Sequence, residues 1–173
     1  RLDKDTSGVL VVAKNEAAVA ALVAQFSSHA VRKEYLALAW GVLKKPSGVV
    51  DLPIGRHPVH RQKMAVTEKG RAALTRYEVL AAGPLAALLR VRIETGRTHQ
   101  IRVHLAHLGH PVVGDATYGR ARHGLPADLQ IPRQMLHAHV LEIAHPRTGR
   151  PLVFTAPPPP DFLAAQKILV GGP

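Results

Sequence analysis

The sequence predicts an α+β domain built on a mixed, largely antiparallel sheet with inserted helices. Three observations favour this fold class. Apolar runs typical of strands outnumber the helical stretches, two pairs of these runs are joined by turn residues, and no repeat or linker divides the 173 residues. A chain of this length can bury a sizeable core. We therefore expect residues 1–173 to form a single domain.

The first third of the chain predicts a strand, a helix and a second strand. GVLVVAK (8–14) is a compact apolar run ending in a charge, which indicates a buried strand. Residues 15–30 place Ala, Leu, Val and Phe at helical spacing, beginning with Asn15 as N-cap. KEYLALAWG (33–41) alternates and ends at a glycine, which favours a strand. Residues 44–66, rich in Pro, Gly and basic residues, predict an ordered excursion with short strands.

The remaining residues predict two hairpins and two helices. The hairpin strands are 75–82 with 85–95, and 136–146 with 150–157. THQIRVHLAHLG (98–109) has helical periodicity, with Thr98 as a candidate cap and a glycine as its end. Residues 110–119 indicate a tight loop, and 120–133 a basic surface excursion. A short terminal helix is expected over 161–170, after a proline run.

The charge balance indicates the class of partner. Lys and Arg number 23 against 12 for Asp and Glu, a formal net charge of +11. Such an excess favours a polyanion, with nucleic acid first and an anionic membrane surface second. No apolar run approaches the roughly 20 residues of a bilayer span. The absence of cysteine excludes disulfides, a thiol nucleophile and cysteine-ligated zinc. We expect a cytoplasmic protein without membrane spans.

The stretch ETGRTHQIRVHLAHLGHP (94–111) carries a dense set of polar groups. His99 and Arg102 are three residues apart, so both can point from the same side of the predicted helix. Arg97 lies just before the positive end of that helix, an arrangement that suits phosphate or carboxylate. A solvated basic helix face explains the same pattern, and the charge pattern alone does not choose between the two.

The same stretch contains histidines that could be metal ligands. His104, His107 and His110 recur every third residue, but no HExxH motif and no cysteine ligand pair accompanies them. Histidines on an RNA-binding surface need no metal. We therefore expect no metal site in this stretch.

Composition alone leaves the roles of two isolated residues undecided. Asp3, within RLDKDTSG, is either an ordinary turn residue or a catalytic carboxylate. Tyr35, within RKEY, is either a packing residue with a hydrated hydroxyl or part of a site.

Taken together, these stretches resemble the RluA family of pseudouridine synthases. The matching segments, in the family's order, are RLDKDTSGVLVVAKN (1–15), RKEYLALAWG (32–41), HPVHRQKMAV followed by TRYEVL, ETGRTHQIRVHLAHLGHPVVGDATYG (94–119) and LHAHVLEIAHPRTGRPLVFTAP (136–157). RLD and TGRTHQIRVH are specific in combination. IGRHPVHRQKMAV is most similar to the RluD-like branch, which modifies large-subunit ribosomal RNA.

The resemblance implies an RNA pseudouridine synthase that isomerises uridine to pseudouridine in structured RNA without a cofactor or metal. It implies Asp3 as the catalytic carboxylate, either a nucleophile on the ribose or a base for a glycal route. Arg102 matches the residue that pairs with this Asp. Tyr35 corresponds to the tyrosine that stacks on the uracil and assists removal of the C5 proton. Ile101 would form an apolar wall of the base pocket.

The resemblance also implies how RNA is held. The target uridine must leave its stack to reach a carboxylate, and Arg1 aligns with an arginine that fills the gap. The expected backbone-binding residues are Arg56, Arg61, Lys63, Arg97 and His99. Ribosomal RNA is the expected partner, with transfer RNA as the alternative. We expect a monomer without an obligate protein partner.

One departure from the family pattern concerns the beginning of the chain. Family members carry a strand-bearing segment before this motif, often an S4 RNA-binding domain, and normally a His ahead of the arginine that aligns with Arg1. We therefore expect a catalytic-domain fragment that starts on the active-site loop. The alternatives are an inactive fragment or a basic RNA-binding module without chemistry. The joint presence of Asp3, Tyr35 and Arg102 favours the enzyme, because simple binding needs no carboxylate beside a polyanion.

Overall fold

The computed structural model of the chain describes residues 1–119, 129 and 131–171. These residues form nine strands and three helices. The strands are β1 (Ser7–Gly8), β2 (Arg32–Trp40), β3 (Ser47–Asp51), β4 (Ile54–Arg56), β5 (Met64–Val66), β6 (Leu74–Ala82), β7 (Ala86–Ile93), β8 (Leu136–Ala144) and β9 (Pro151–Thr155). The helices are α1 (Glu16–Ser27), α2 (Gln100–His107) and α3 (Pro160–Leu169). Most of the basic excursion predicted over 120–133 lies outside the described residues.

Seven strands form one sheet, and β4 and β5 form a separate hairpin. The order is β1-β8-β2-β7-β6-β3, and β9 also pairs with β8. Pairing is antiparallel except between β1 and β8. The predicted mixed, largely antiparallel sheet is confirmed. Both predicted hairpins are present as β6–β7 and β8–β9, and β4–β5 lies within the predicted excursion.

Each face of the central strands is covered by a different helix, because side chains alternate along a strand. On one face, Ala37 of β2 and Leu89 of β7 are fully buried in a cluster with Ile101 and Leu105 of α2. On the other face, the cluster around Leu38 includes residues of α3. The face under α2 is the one on which the cleft described below opens.

Helix α1 begins as the sequence predicts. The Asn15 side chain accepts a hydrogen bond from the backbone N–H of Ala18 at 2.9 Å, which satisfies one of the free donors of the first turn. The helix packs through Leu22 against Leu141 and Ile143 of β8.

The strand predicted over 8–14 is wrong for most of its length. Only Ser7–Gly8 pairs with β8, opposite His137 and Ala138. From Val140 onward that edge of β8 is occupied by β9, so the following residues have no edge to join. Side chains 9–14 still alternate between half-buried and exposed, although these residues do not form a strand. Val9, Val11 and Ala13 pack beside α1.

The predicted N-cap of α2 is also wrong. The helix begins at Gln100, and the capping position is His99, whose φ of 56° is left-handed and whose side chain makes no cap bond. The Gln100 side chain instead holds the turn that precedes the helix. Its Oε1 accepts the backbone N–H of Arg97 at 3.0 Å and the Thr95 hydroxyl at 2.8 Å. Thr98 is exposed to solvent.

Candidate active site

A cleft of about 300 Å³ opens between the N-terminal loop, α1, the sheet and the turn before α2. Its walls are largely apolar, with Val9, Phe26, Leu136 and Leu141 among them. Residues that the sequence singled out also line it: Arg1, Asp3, Tyr35, Arg97 and Ile101. The fold therefore brings together residues that lie up to a hundred positions apart.

The Asp3 carboxylate contacts the Arg102 guanidinium, as predicted. Arg102 Nη1 donates to Asp3 Oδ2 at 3.2 Å, and the side chains are 7% and 23% exposed respectively. The loop carrying Asp3 is fastened by Gln134, whose Nε2 donates to the Lys4 carbonyl and the Thr6 hydroxyl. A half-buried carboxylate is thus held facing an apolar cleft.

Sequence reasoning missed the second partner of Arg102. Asp115, whose side chain is fully buried, accepts from Arg102 Nε at 2.7 Å and Nη2 at 2.9 Å. Its Oδ1 also accepts the backbone N–H groups of Thr117 and Tyr118. A buried guanidinium has five donors and needs several acceptors. The Arg102–Asp115 pair could have been predicted from that requirement together with the Asp in GDATYG.

The pKa of Asp115 is lowered by its neighbours. Burial by itself would raise the pKa, since it penalises the charged form. Hydrogen bonds and charge from Arg102, with the backbone N–H groups of Tyr118 and Thr117, outweigh burial and leave the pKa below its ordinary value. The pair is therefore ionised, and it anchors the arginine that meets Asp3.

Tyr35 lies on β2 and faces the cleft. Burial, followed by the nearby Asp3 carboxylate, raises the pKa of its phenol to about 12. The hydroxyl is consequently protonated at neutral pH. Tyr35 therefore presents an aromatic face and a neutral hydroxyl to the cleft.

A second depression of about 480 Å³ lies beside the beginning of α2. Arg61, Lys63 and His99 line it, together with His60 and Thr117. The depression is formed by the β4–β5 hairpin and the turn that carries Asp115. These basic groups were predicted to hold an RNA backbone, and the fold places them side by side.

Two of the predicted backbone-binding arginines are engaged elsewhere. Arg56 is exposed, and its Nη1 donates to the carbonyl of Arg61, which stabilises the loop of the hairpin. Arg97 lines the base cleft, and its Nε donates to the carbonyl of Ala72. Arg97 thus forms part of the cleft wall, whereas Arg56 supports the loop that carries Arg61.

Tyr118 connects the hairpin to the site. Its hydroxyl accepts the backbone N–H of Met64 at 2.9 Å and lies 2.8 Å from His99 Nδ1. Arg102 Cζ lies 5.2 Å from the centre of its ring. Burial and then the Arg102 charge lower the pKa of His99, so His99 is neutral at pH 7. The Tyr118 oxygen thus links the backbone of β5 to the imidazole of His99.

The histidines of α2 and the following turn have separate partners. His104 bonds Thr75 Oγ1 and the Leu52 carbonyl, and His110 bonds the Trp40 carbonyl. Within the described residues, no group of three or more His, Asp or Glu side chains could hold a metal ion. No helix in the described part of the chain is long and apolar enough to cross a membrane.

Comparison with known proteins identifies this combination of fold and cleft. The RNA pseudouridylate synthase family model matches residues 1–107. The chain belongs to this family.

Named relatives give a finer comparison. Ribosomal large subunit pseudouridine synthase D of Nitrosomonas europaea is 50% identical over 167 residues, which are 95% of this chain and 48% of that protein. The protein of the same name from Pseudomonas aeruginosa is 47% identical, over 98% of this chain and 55% of its own length. The chain spans about half the length of these relatives. The resemblance inferred from the sequence is confirmed.

Solved structures of the same family have the same fold. Human RNA pseudouridylate synthase domain containing 1 is 36% identical and superposes with a TM-score of 0.77, covering 91% of this chain and 66% of the other. The human domain containing 4 gives 28% identity and a TM-score of 0.79, over 98% of this chain and 74% of the other. These likenesses confirm the α+β fold class predicted from the sequence.

Proposed function

We propose that this chain is the catalytic domain of an RNA pseudouridine synthase that acts on large-subunit ribosomal RNA. The observation that carries the proposal is the Asp3 carboxylate, held by Arg102 at an apolar cleft beside Tyr35. Family membership and the names of the relatives support the reaction and the RNA. Transfer RNA is the alternative substrate that the same experiments can test.

The reaction is an isomerisation that needs one well-placed carboxylate. Asp3 attacks C1′ of the ribose or removes a ribose proton, and the C1′–N1 bond breaks with its electron pair leaving on the uracil. The base then turns, C5 bonds to C1′, and C5 loses its proton. Every atom of uridine is retained except that exchanged proton, so no external oxidant or energy source enters.

The Arg102–Asp115 pair positions Asp3. Arg102 is fixed from behind by two hydrogen bonds to Asp115, which leaves Nη1 for Asp3. A planar guanidinium held in this way defines the direction of the carboxylate it contacts. Arg102 is thus a positioning residue, and Asp3 is the group that reacts.

The apolar cleft is suited to an unstacked base. A uridine within a helix cannot bring C1′ to Asp3, so the nucleotide turns out of its stack. Tyr35 offers its ring for stacking and Ile101 forms the adjoining wall. Arg1 lies at the cleft and is exposed, where it can occupy the space the base leaves.

The second depression is suited to the RNA backbone. Arg61 and Lys63 supply positive charge, and the His99 imidazole lies beside them. Such contacts fix the position of the RNA without reading its sequence. The base would then be held in the cleft and the backbone in the second depression.

Replacement of Asp3 tests the proposal. In the full-length protein, Asp3→Asn should abolish release of tritium from [5-³H]uridine-labelled ribosomal RNA, because asparagine can act neither as nucleophile nor as base. Asp5→Asn is the matched control, since Asp5 is exposed in the same loop and should leave the rate unchanged. Tritium release by Asp3→Asn at the parent rate would show that Asp3 is an ordinary turn residue. RNA binding without tritium release by the parent protein would instead indicate a module without chemistry.

A further inference from the structure

Lys33 is a buried cation on the wall of the base cleft. It is 8% exposed and lies two residues before Tyr35 on β2, so both side chains project from the same face of the strand. Both residues line the cleft. Nothing in the mechanism proposed above uses this ammonium group.

The contacts of Lys33 do not offset the cost of burying its charge. Nζ donates one hydrogen bond, to the carbonyl of Glu94 at 3.0 Å, and lies 5.9 Å from the centre of the Phe26 ring. Within the described residues, no carboxylate lies at salt-bridge distance from Lys33. The Glu94 carboxylate instead pairs with Arg76 on the exposed side of the sheet. An ammonium has three donors, and burying it without a counter-ion is unfavourable.

Burial has a measurable consequence for this group. It lowers the pKa of Lys33 from the ordinary value of 10.5, and the Glu94 charge opposes this only in part. An apolar side chain at position 33, like that of Leu141 opposite it on the neighbouring strand, would be buried at a lower free-energy cost. A cation retained at the wall of an apolar cleft suits a ligand that becomes negative there.

The proposed reaction creates such a ligand. When the C1′–N1 bond breaks, its electron pair leaves with the base, and the uracil carries one negative charge shared among N1 and the two carbonyl oxygens. The charge disappears when C5 bonds to C1′. A fixed donor aimed at developing charge stabilises the transition state more than the ground state.

We propose that the Lys33 ammonium donates a hydrogen bond to a carbonyl oxygen of the uracil and stabilises the uracil anion between bond cleavage and C5 attachment. The inference rests on the proposed function and assigns Lys33 a part in the chemistry. Tyr35 supports the face of the same base, and Asp3 acts on its ribose. Lys33 would then act on the leaving group of the reaction.

The first test separates chemistry from binding. In the full-length protein, Lys33→Met keeps the aliphatic stem and removes the charge. Pseudouridine formation at saturating RNA should slow about a hundredfold, the effect expected for loss of one aimed donor, while the RNA dissociation constant stays unchanged. Lys14→Met is the control, since Lys14 is exposed and does not line the cleft. A parent rate for Lys33→Met, or a loss confined to RNA affinity, would overturn the proposal.

The second test uses Lys33→Arg, which also decides the matter if Lys33→Met does not fold. Arginine retains positive charge and donors, so this variant should recover most of the rate. In the parent protein the rate should fall at alkaline pH as Lys33 loses its proton, and the arginine variant should lose that fall because a guanidinium stays protonated. Ionisation of the RNA at alkaline pH affects the parent protein and the arginine variant equally. An alkaline fall that persists in Lys33→Arg would contradict a catalytic charge at this position.

The two proposals fail in different ways. If the parent protein forms no pseudouridine in any ribosomal RNA fragment, the proposed function itself fails. If the parent is active and Lys33→Met is equally active, only the assignment of Lys33 fails.

Discussion

Arg102 is shared between two carboxylates, Asp115 on its buried side and Asp3 at the cleft. The bidentate contact to Asp115 involves a fully buried carboxylate, whereas the contact to Asp3 is single and half-exposed. The buried contact therefore decides where the guanidinium lies. The cleft contact decides where the Asp3 carboxylate points. A substitution at Asp115 should therefore change the orientation of Asp3 through Arg102.

Removing the charge of Asp115 should cost stability and activity together. Asp115→Asn leaves Arg102 buried without its main counter-ion, and breaking such a pair costs about 3–5 kcal/mol. We expect urea unfolding at pH 7 to show this loss and tritium release to fall. Glu78→Gln removes a more exposed acceptor, that of Arg90 on the sheet face opposite the cleft, and should cost less without slowing catalysis.

The same pair predicts a direction for the effect of acid. The pKa of Asp115 in the folded protein lies below its ordinary value of 3.8, so the unfolded state binds its proton first as the pH falls. The stabilisation is complete above about pH 5 and is lost as the pH falls through the folded pKa. The difference in unfolding free energy between the parent and Asp115→Asn should accordingly shrink in acid. A constant difference from pH 7 to pH 3 would contradict this assignment.

Tyr35 should act mainly through its ring. Since burial and Asp3 raise the pKa of Tyr35 to about 12, its hydroxyl is a poor base at neutral pH. Tyr35→Phe should lower turnover by less than about tenfold, whereas Tyr35→Leu should lose a stacking contribution of about 1–3 kcal/mol. Tritium release under single-turnover conditions measures both. Equal losses in the two variants would show that the hydroxyl moves a proton.

At the level of elements, the Tyr118 side chain joins the β4–β5 hairpin to the site, in addition to apolar packing of the hairpin against α2. The hairpin forms a sheet of its own, separate from the seven-stranded sheet. Tyr118 bonds the backbone of β5 at Met64, contacts His99 at the beginning of α2 and lies beside Arg102. The position of the basic hairpin is thus connected to the geometry around Asp3.

Loss of the Tyr118 hydroxyl should loosen this connection. Tyr118→Phe removes the acceptor of the Met64 N–H and the hydrogen-bond partner of His99. This loss should speed exchange of the Met64 amide and weaken RNA binding severalfold, the equivalent of about 1 kcal/mol. Tyr77→Phe is the control, because Tyr77 is also half-buried and its hydroxyl has no hydrogen bond to a described residue. If the Met64 amide exchanges at the parent rate in Tyr118→Phe, the hairpin is held by other contacts.

For the whole molecule, the distribution of charge distinguishes two surfaces. Four arginines and four glutamates form ion pairs across β8, β2, β7 and β6 on the sheet face opposite the cleft: Arg32, Arg76, Arg90, Arg92, Glu34, Glu78, Glu94 and Glu142. These pairs are neutral in sum. The entire formal excess of +11 consequently lies on the rest of the chain, which includes the second depression.

This distribution predicts which arginines make RNA binding sensitive to salt. Each phosphate contact contributes about 0.7–0.9 to the slope of log affinity against log salt. Arg61→Ala should reduce that slope by about one contact. Arg76→Ala removes the same side chain from the neutral face, where it pairs with Glu94, and should leave the slope unchanged. Equal slopes in the two variants, measured by fluorescence anisotropy on a ribosomal RNA fragment, would contradict binding at the second depression.

The sequence by itself determined the local elements and part of the site. Periodicity and turn residues predicted β2, both hairpins of the main sheet and the Asn15 cap, because these depend on neighbours within a few positions. The resemblance carried by RLD and TGRTHQIR pointed to Asp3 and Arg102, which are in contact in the fold.

Only the tertiary structure decided the rest, because it depends on contacts between distant residues. The strand predicted over 8–14 is lost because β9 occupies the same edge of β8, a competition that no local pattern records. Asp115 looks like a turn residue until the fold buries it against Arg102. Lys33 looks like a surface charge beginning a strand until the turn at Glu94 and the ring of Phe26 enclose it. Burial turns an ordinary charged side chain into one that must have a partner, and burial is a property of the folded chain.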